Sequence, residues 1–140
     1  MEHEKIFEIP ITLKTKEHCI LEIVSWIIDN KRGKHFVCVN PHSIEVARED
    51  SVFSQALKNA DLVVPDGIGI VIASKLLRGK IRKRITGSDI FYGVNEYLNK
   101  FGKYTCFFLG STEEVLFRIK NRMEIDYPNI QVVGTYSPPF

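Results

Sequence analysis

The sequence is poor in cysteine, and what it has is scattered. Its three cysteines, Cys19, Cys38 and Cys106, are odd in number and form no CxxC pair. That excludes a disulfide scaffold and a cysteine-based zinc site, and suits a reducing compartment. Histidine is equally sparse: four residues with no HxH or HxxxH spacing argue against a metal centre. Charge of one sign is not in surplus. Nineteen Lys and Arg stand against 17 Asp and Glu, a formal net charge of +2, too even to mark nucleic acid as a partner. Long apolar runs are missing, and none approaches the roughly 20 residues of a membrane-spanning helix. The charged start Met1-Glu2-His3-Glu4-Lys5 leads us to expect no secretory signal.

What is present is an ordinary mixture: 140 residues, 44% hydrophobic and 26% charged. That is the size of one domain, able to bury roughly two-thirds of its unfolded surface without staples. Residues 6–13 read as a short strand or hairpin interrupted by Pro10. Ile20, Leu21, Ile23, Val24, Ile27 and Ile28 form one apolar face of a helix over 16–30, with Thr15 as N-cap and Gly33 just past its end. Residues 35–39 read as a buried strand. Pro41 starts a helix to about Arg48, and a second short helix covers about 51–59. Residues 61–64 form the next strand, cut by Pro65-Asp66-Gly67, and a helix follows over about 68–77. Beyond a basic loop, Ser88 or Asp89 caps a helix with Ile90, Val94, Tyr97, Leu98 and Phe101 inward. Residues 104–109 are a strongly apolar strand. Ser111 and Glu114 read as the capping box of the next helix, which Pro128 stops, and 130–136 form a last strand.

Apolar strands that do not alternate, each followed by a helix, predict an α/β fold: a three-layer Rossmann-like, mainly parallel sheet with helices on both faces. Right-handed crossovers then place every strand's carboxyl end on one edge, where ligands bind in such sheets. The loops 40–42, 65–67 and 110–112 follow strands directly, so their polar residues are expected near one crevice.

Asp66 stands out among them. A carboxylate at this edge can act as general base for a hydroxyl nucleophile; it can equally belong to an ordinary Pro-Asp-Gly turn or cap the following helix. Gly67 and Gly69 leave room for close approach of a ligand to the backbone, without completing a GxGxxG fingerprint. Asn40 can hydrogen-bond a sugar or nucleotide, or orient the turn before Pro41. The loop with Lys80, Arg82, Lys83 and Arg84 lies beside a helix start, an arrangement suited to a diphosphate and also compatible with a solvated loop. Gly110-Ser111 is a further strand–glycine–helix step able to receive a nucleotide, or simply a helix cap.

Four runs in this order carry a more specific signal: Phe36-Val37-Cys38-Val39-Asn40-Pro41-His42, Ala60-Asp61-Leu62-Val63-Val64-Pro65-Asp66-Gly67-Ile68-Gly69, Arg84-Ile85-Thr86-Gly87-Ser88-Asp89 and Phe108-Leu109-Gly110-Ser111. In order and spacing they resemble the WecG/TagA/CpsF family of bacterial glycosyltransferases over essentially the whole chain. The resemblance implies an inverting transferase that moves N-acetylmannosamine or a related sugar from a UDP donor to a polyprenyl-diphosphate-linked saccharide. Its products would feed teichoic acid, common-antigen or exopolysaccharide synthesis at the cytoplasmic face of the membrane. It gives Asp66 the role of catalytic base, Asn40 a place near donor sugar and acceptor, and Arg84 the departing diphosphate. No divalent metal is required, and no cofactor beyond the donor substrate.

Two departures accompany the resemblance. Cys38 stands where the family commonly has Thr, and a thiol is the poorer hydrogen-bond partner. Family members also run well past Gly134-Thr135-Tyr136, so residues 1–140 are expected to be one glycosyltransferase core domain truncated at its C-terminus. Homo-oligomer contacts could compensate for the missing part. The competing readings are a nucleotide-binding α/β module of different specificity and a non-catalytic assembly partner.

Overall fold

Turn and cap chemistry sets most element boundaries in the computed structural model, which describes residues 2–139. The chain divides into two compact units, a first ending at Phe91 and a second beginning at Tyr92.

In the first unit, strands β1 (His3–Ile6) and β2 (Ile9–Thr12) pair as an antiparallel hairpin. Phe7 and Glu8 turn it with φ of 48° and 65°, the positive values that match a tight turn to the twist of its strands. Helix α1 (Lys16–Ile28) starts as expected at Thr15, whose hydroxyl accepts from His18 N. Strand β3 (Phe36–Val39) leads into α2 (Pro41–Glu49) and α3 (Ser51–Lys58), and β4 (Leu62–Pro65) returns parallel to β3, with Val39 opposite Pro65. Asn40 caps α2 and Asp50 caps α3. Helix α4 (Ile68–Leu76) follows β4, and α5 (Gly87–Phe101) begins after the basic segment.

The hydrophobic core of this unit joins Ile6, Ile9 and Ile11 of the hairpin to Val39 and Val63 of the parallel pair, with Ile70 and Ile81. Each isoleucine so buried contributes roughly 1.5–3 kcal/mol. All four residues of β4 are buried, as the non-alternating run predicts. Helix α5 is not capped by Ser88 or Asp89. Thr86 Oγ1 accepts from Asp89 N, while Asp89 Oδ2 accepts from Thr86 N, so Thr86 is the cap and Asp89 its reciprocal partner.

In the second unit, β5 (Tyr104–Leu109) and β6 (Ile130–Tyr136) are parallel, joined through α6 (Glu113–Asp126). Leu116 and Met123 of α6 are buried, as are Leu98, Tyr127 and Ile130. Asn129 ties the start of β6 to α5: its N–H donates to Asn99 Oδ1 and its Nδ2 to Asn99 O, each at 2.9 Å. The expected Ser111–Glu114 capping box does not form. Ser111 takes a positive φ of 62° outside the helix, and Thr112 caps α6 by accepting from Val115 N. Two burial expectations also fail. Phe101 is exposed at the end of α5, and Phe107 and Leu109 of β5 are 57% and 72% exposed. Only the alternate residues Tyr104, Cys106 and Phe108 are half-buried, so the apolar run YTCFFL is covered on one side. The β5–β6 register shifts between Cys106 and Phe107. Gly134 makes room there, since a Cβ on it would stand 2.7 Å from Phe107 Cε2.

The elements are those of an α/β fold: parallel strand pairs, each joined through helices. Among the described residues no helix is long and apolar enough to cross a membrane.

Candidate functional site

Parallel pairing of β3 and β4 sets the first side chains of the site. Because strand side chains alternate, Val37, Val39 and Val63 turn to the core while Cys38 and Val64 take the other face. Asp66 lies two residues beyond Val64 and continues that second face. Its backbone N–H extends the ladder by donating to Val39 O at 2.9 Å, and Ile85 N donates to Pro65 O at 2.9 Å. The segment leading into α5 is thereby laid along the carboxyl end of β4.

That placement decides what Asp66 does locally. The N-cap position of α4 is Gly67, with no side-chain cap hydrogen bond, so Asp66 does not cap its own helix. Its Oδ2 instead accepts from Gly87 N at 3.1 Å, the first N–H of α5, where the positive end of the helix dipole meets the carboxylate. The Cys38 thiol is hydrogen-bonded to the same carboxylate. Burial first, and then the Asp66 charge and this hydrogen bond, push that thiol up to about 11, so near neutral pH it is an uncharged donor. Gly87 is what lets the three groups meet. A Cβ there would stand 3.3 Å from Cys38 Sγ and 3.8 Å from Asp66 Oδ2.

Asn40 leaves β3 at the same edge. Its Oδ1 accepts from Ser43 N and its own N–H donates to Ser43 Oγ, both at 2.9 Å, a full capping box for α2. The turn-orienting role weighed for Asn40 is thus realised. Gly67 and Gly69 have a packing role on that turn: a Cβ on Gly67 would lie 3.2 Å from Pro41 Cδ, and one on Gly69 2.6 Å from Pro41 Cγ. The start of α4 can approach the Asn40-Pro41 turn only without those side chains.

Arg84 is exposed, one residue before the buried Ile85, and lines a cavity of about 450 Å³ together with Pro65 and Asp89. Hydrogen bonds from the Thr86 backbone and hydroxyl, then the charges of Lys16 and Arg84, hold the Asp89 carboxyl below its usual value. Gly110 and Ser111 belong to the second unit. Gly110, at φ 117°, donates its N–H to Tyr136 O at 2.9 Å, and Ser111 O accepts from Ser137 Oγ at 2.6 Å. The fold therefore gathers Asn40, Asp66, Gly67 and Gly69 at one strand edge, with Arg84 on the segment that delivers Gly87. Cys38 and Gly87 were within the quoted runs but carried no assigned contact with Asp66. Among the described residues no group of three or more His, Cys, Asp or Glu is gathered as for a metal ion.

The family model described as glycosyl transferase WecG/TagA/CpsF family matches residues 4–140. An N-acetylglucosaminyldiphosphoundecaprenol N-acetyl-beta-D-mannosaminyltransferase of Bacillus subtilis (strain 168) is 30% identical over 134 residues, covering 96% of this chain and 52% of the relative. The protein of the same name from Bacillus spizizenii is 31% identical over 107 residues, covering 76% and 41%. That from Staphylococcus aureus (strain NCTC 8325) is 29% identical over 96 residues, covering 67% and 37%. The chain thus spans about half the length, or less, of these curated relatives.

Proposed function

This chain belongs to the WecG/TagA/CpsF family of glycosyl transferases, and from that premise we propose that it is the base-bearing part of a UDP-sugar-dependent hexosyltransferase. Its donor is UDP-N-acetylmannosamine or a related UDP-sugar, and its acceptor a polyprenyl-diphosphate-linked saccharide at the cytoplasmic face of the membrane. The names of the relatives support this reading, since each specifies a mannosaminyl transfer to a diphosphoundecaprenol-linked sugar.

The observation that carries the mechanism is the Asp66 carboxylate, held at the carboxyl end of β4 by the Gly87 N–H and the Cys38 thiol. In the proposed step an acceptor hydroxyl oxygen attacks the anomeric carbon of the donor. Asp66 takes the hydroxyl proton as the new C–O bond forms. The bond from the anomeric carbon to the diphosphate breaks on the opposite side, which inverts that carbon and releases UDP. Arg84 meets the charge growing on the diphosphate, a role a positioned guanidinium can fill without a divalent metal. Asn40 borders donor and acceptor, and Gly67 and Gly69 of the first unit are the backbone positions offered to the nucleotide.

The test has a binding and a kinetic arm. Calorimetric titration of the chain should show UDP bound in preference to ADP, GDP and NAD. With UDP-N-acetylmannosamine and a polyprenyl-diphosphate acceptor, Asp66→Asn should lose about 100-fold or more of the transfer rate at an unchanged thermal midpoint. Full transfer by that variant removes Asp66 as the base. A preference for ADP or NAD removes the donor assignment.

A further inference from the structure

We infer that the basic cavity of the first unit is a diphosphate-binding site built by two distant segments, with Lys16 and Lys83 among its ligands. The cavity, about 450 Å³, lies between residues 12–17 and residues 80–85, with Pro65 and Asp89 completing its wall. Lys14, Lys16, Lys80, Arg82, Lys83 and Arg84 line it, against only Glu17 and Asp89. Six cations and two carboxylates leave a formal +4 around one cavity, in a chain whose whole net charge is +2.

Part of that charge is already engaged. Lys14 Nζ lies 2.8 Å from Glu22 Oε2 and 3.4 Å from Glu2 Oε2. Arg82 Nη1 donates to Gly79 O at 2.7 Å. Lys16 Nζ is 3.9 Å from Asp89 Oδ1, too long for a good hydrogen bond. Among the described residues no ion pair forms at Lys80, Lys83 or Arg84.

The backbone carrying these cations is anchored, which a merely solvated loop does not require. The Glu4 carboxylate, from β1, accepts from Lys80 N and from Ile81 N. Ile81 N also donates to Ser74 Oγ at 3.1 Å, and Ser74 is wholly buried. Ile81 and Ile85 are 3% and 4% exposed, so Arg82, Lys83 and Arg84 are strung between two buried isoleucines. Like charges fixed at close range repel; a bound polyanion offsets that repulsion and gains charge-assisted hydrogen bonds. The volume suits a diphosphate with part of the group attached to it. The inference rests on the transfer reading only for the origin of that diphosphate, which a nucleoside or a prenyl chain can supply.

Inorganic pyrophosphate is the ligand for the test, titrated into the full chain at about 0.1 M salt, where distant charges are screened. One equivalent should bind, and Lys16→Gln/Lys83→Gln should weaken it about tenfold or more at an unchanged thermal midpoint. A control that removes two exposed charges of the same unit outside the cavity lining, Lys31→Gln/Lys58→Gln, should stay within about twofold, since exposed charges away from the ligand are screened at that salt. No binding by the unaltered chain, equal affinity in the cavity variant, or equal loss in the control each overturns the site. Displacement of pyrophosphate by UDP assigns the cavity to the donor, and displacement by farnesyl diphosphate to the acceptor. Displacement by neither overturns a substrate role. Because pyrophosphate binding does not depend on transfer, this result and the Asp66→Asn result can fail separately.

Discussion

At Gly87 a single methyl group separates two outcomes. Alanine is the better helix former by about 0.5–1 kcal/mol, yet here its Cβ would press to 3.3 Å on the Cys38 sulfur. We predict that Gly87→Ala destabilises the chain, and that Cys38→Ala relieves the effect by opening the space. Urea unfolding of both single variants and the double variant should give a coupling of about 0.5 kcal/mol or more, as for residues in contact. Strict additivity would show that the thiol does not exclude the side chain. The position of Asp66 was legible because it follows an apolar strand. Its partner was not, because Gly87 lies 21 residues further on and a glycine at a helix start has many local explanations. Asn40 was legible in its bland role of orienting the turn before Pro41, which it fills as the cap of α2.

Helix α5 owes its start to Thr86, which both accepts from Asp89 N and donates to Asp89 Oδ2. Thr86→Ala should cost about 1 kcal/mol, as loss of an N-cap does, and should also return the Asp89 carboxyl toward its ordinary pKa. A depressed folded-state pKa stabilises above the unfolded value of 3.8, and that stabilisation is lost as pH falls through the lower folded value. The fall in thermal midpoint between pH 5 and pH 2.5 should therefore be smaller in Thr86→Ala than in the unaltered chain. An identical fall would mean that the Thr86 hydroxyl does not hold that carboxyl down and that, of the two Thr86 groups, the N–H alone does so. The sequence reading put the cap at Ser88 or Asp89 and passed over Thr86, whose hydroxyl is an equally good cap former, and only geometry chooses between such neighbours. The same ambiguity arose at Ser111 and Thr112, where the residue after Gly110 took the left-handed turn and its neighbour the cap. The β1–β2 hairpin was legible as a possibility, but its turn residues Phe7 and Glu8 lack the Asn-Gly signature that would have fixed it.

Across the whole molecule, the alternation of strands and helices was legible from apolar runs and breakers, and the α/β class followed. The division at Phe91 was not, because it falls inside α5, where no linker composition marks it. Two thiols give the molecule an alkaline signature. Burial first, then Glu22 for Cys19 and Asp66 for Cys38, raises each from 9.0 to about 11. The folded chain keeps protons that the unfolded chain releases, so stability is full below pH 9 and falls as pH rises toward 11. The urea midpoint should drop over that window, and Cys19→Ala and Cys38→Ala should each flatten the drop. A drop of the same steepness in both variants would assign it to other groups. One further consequence follows from Glu4, which holds the basic segment from 76 residues away. During synthesis the β1–β2 hairpin can form almost as soon as it emerges, whereas its carboxylate waits for Lys80 and Ile81 to exist. Closing so long a loop is entropically costly and slow relative to local pairing. The cationic wall is thus set late in the history of the first unit, by a residue made long before the segment it holds.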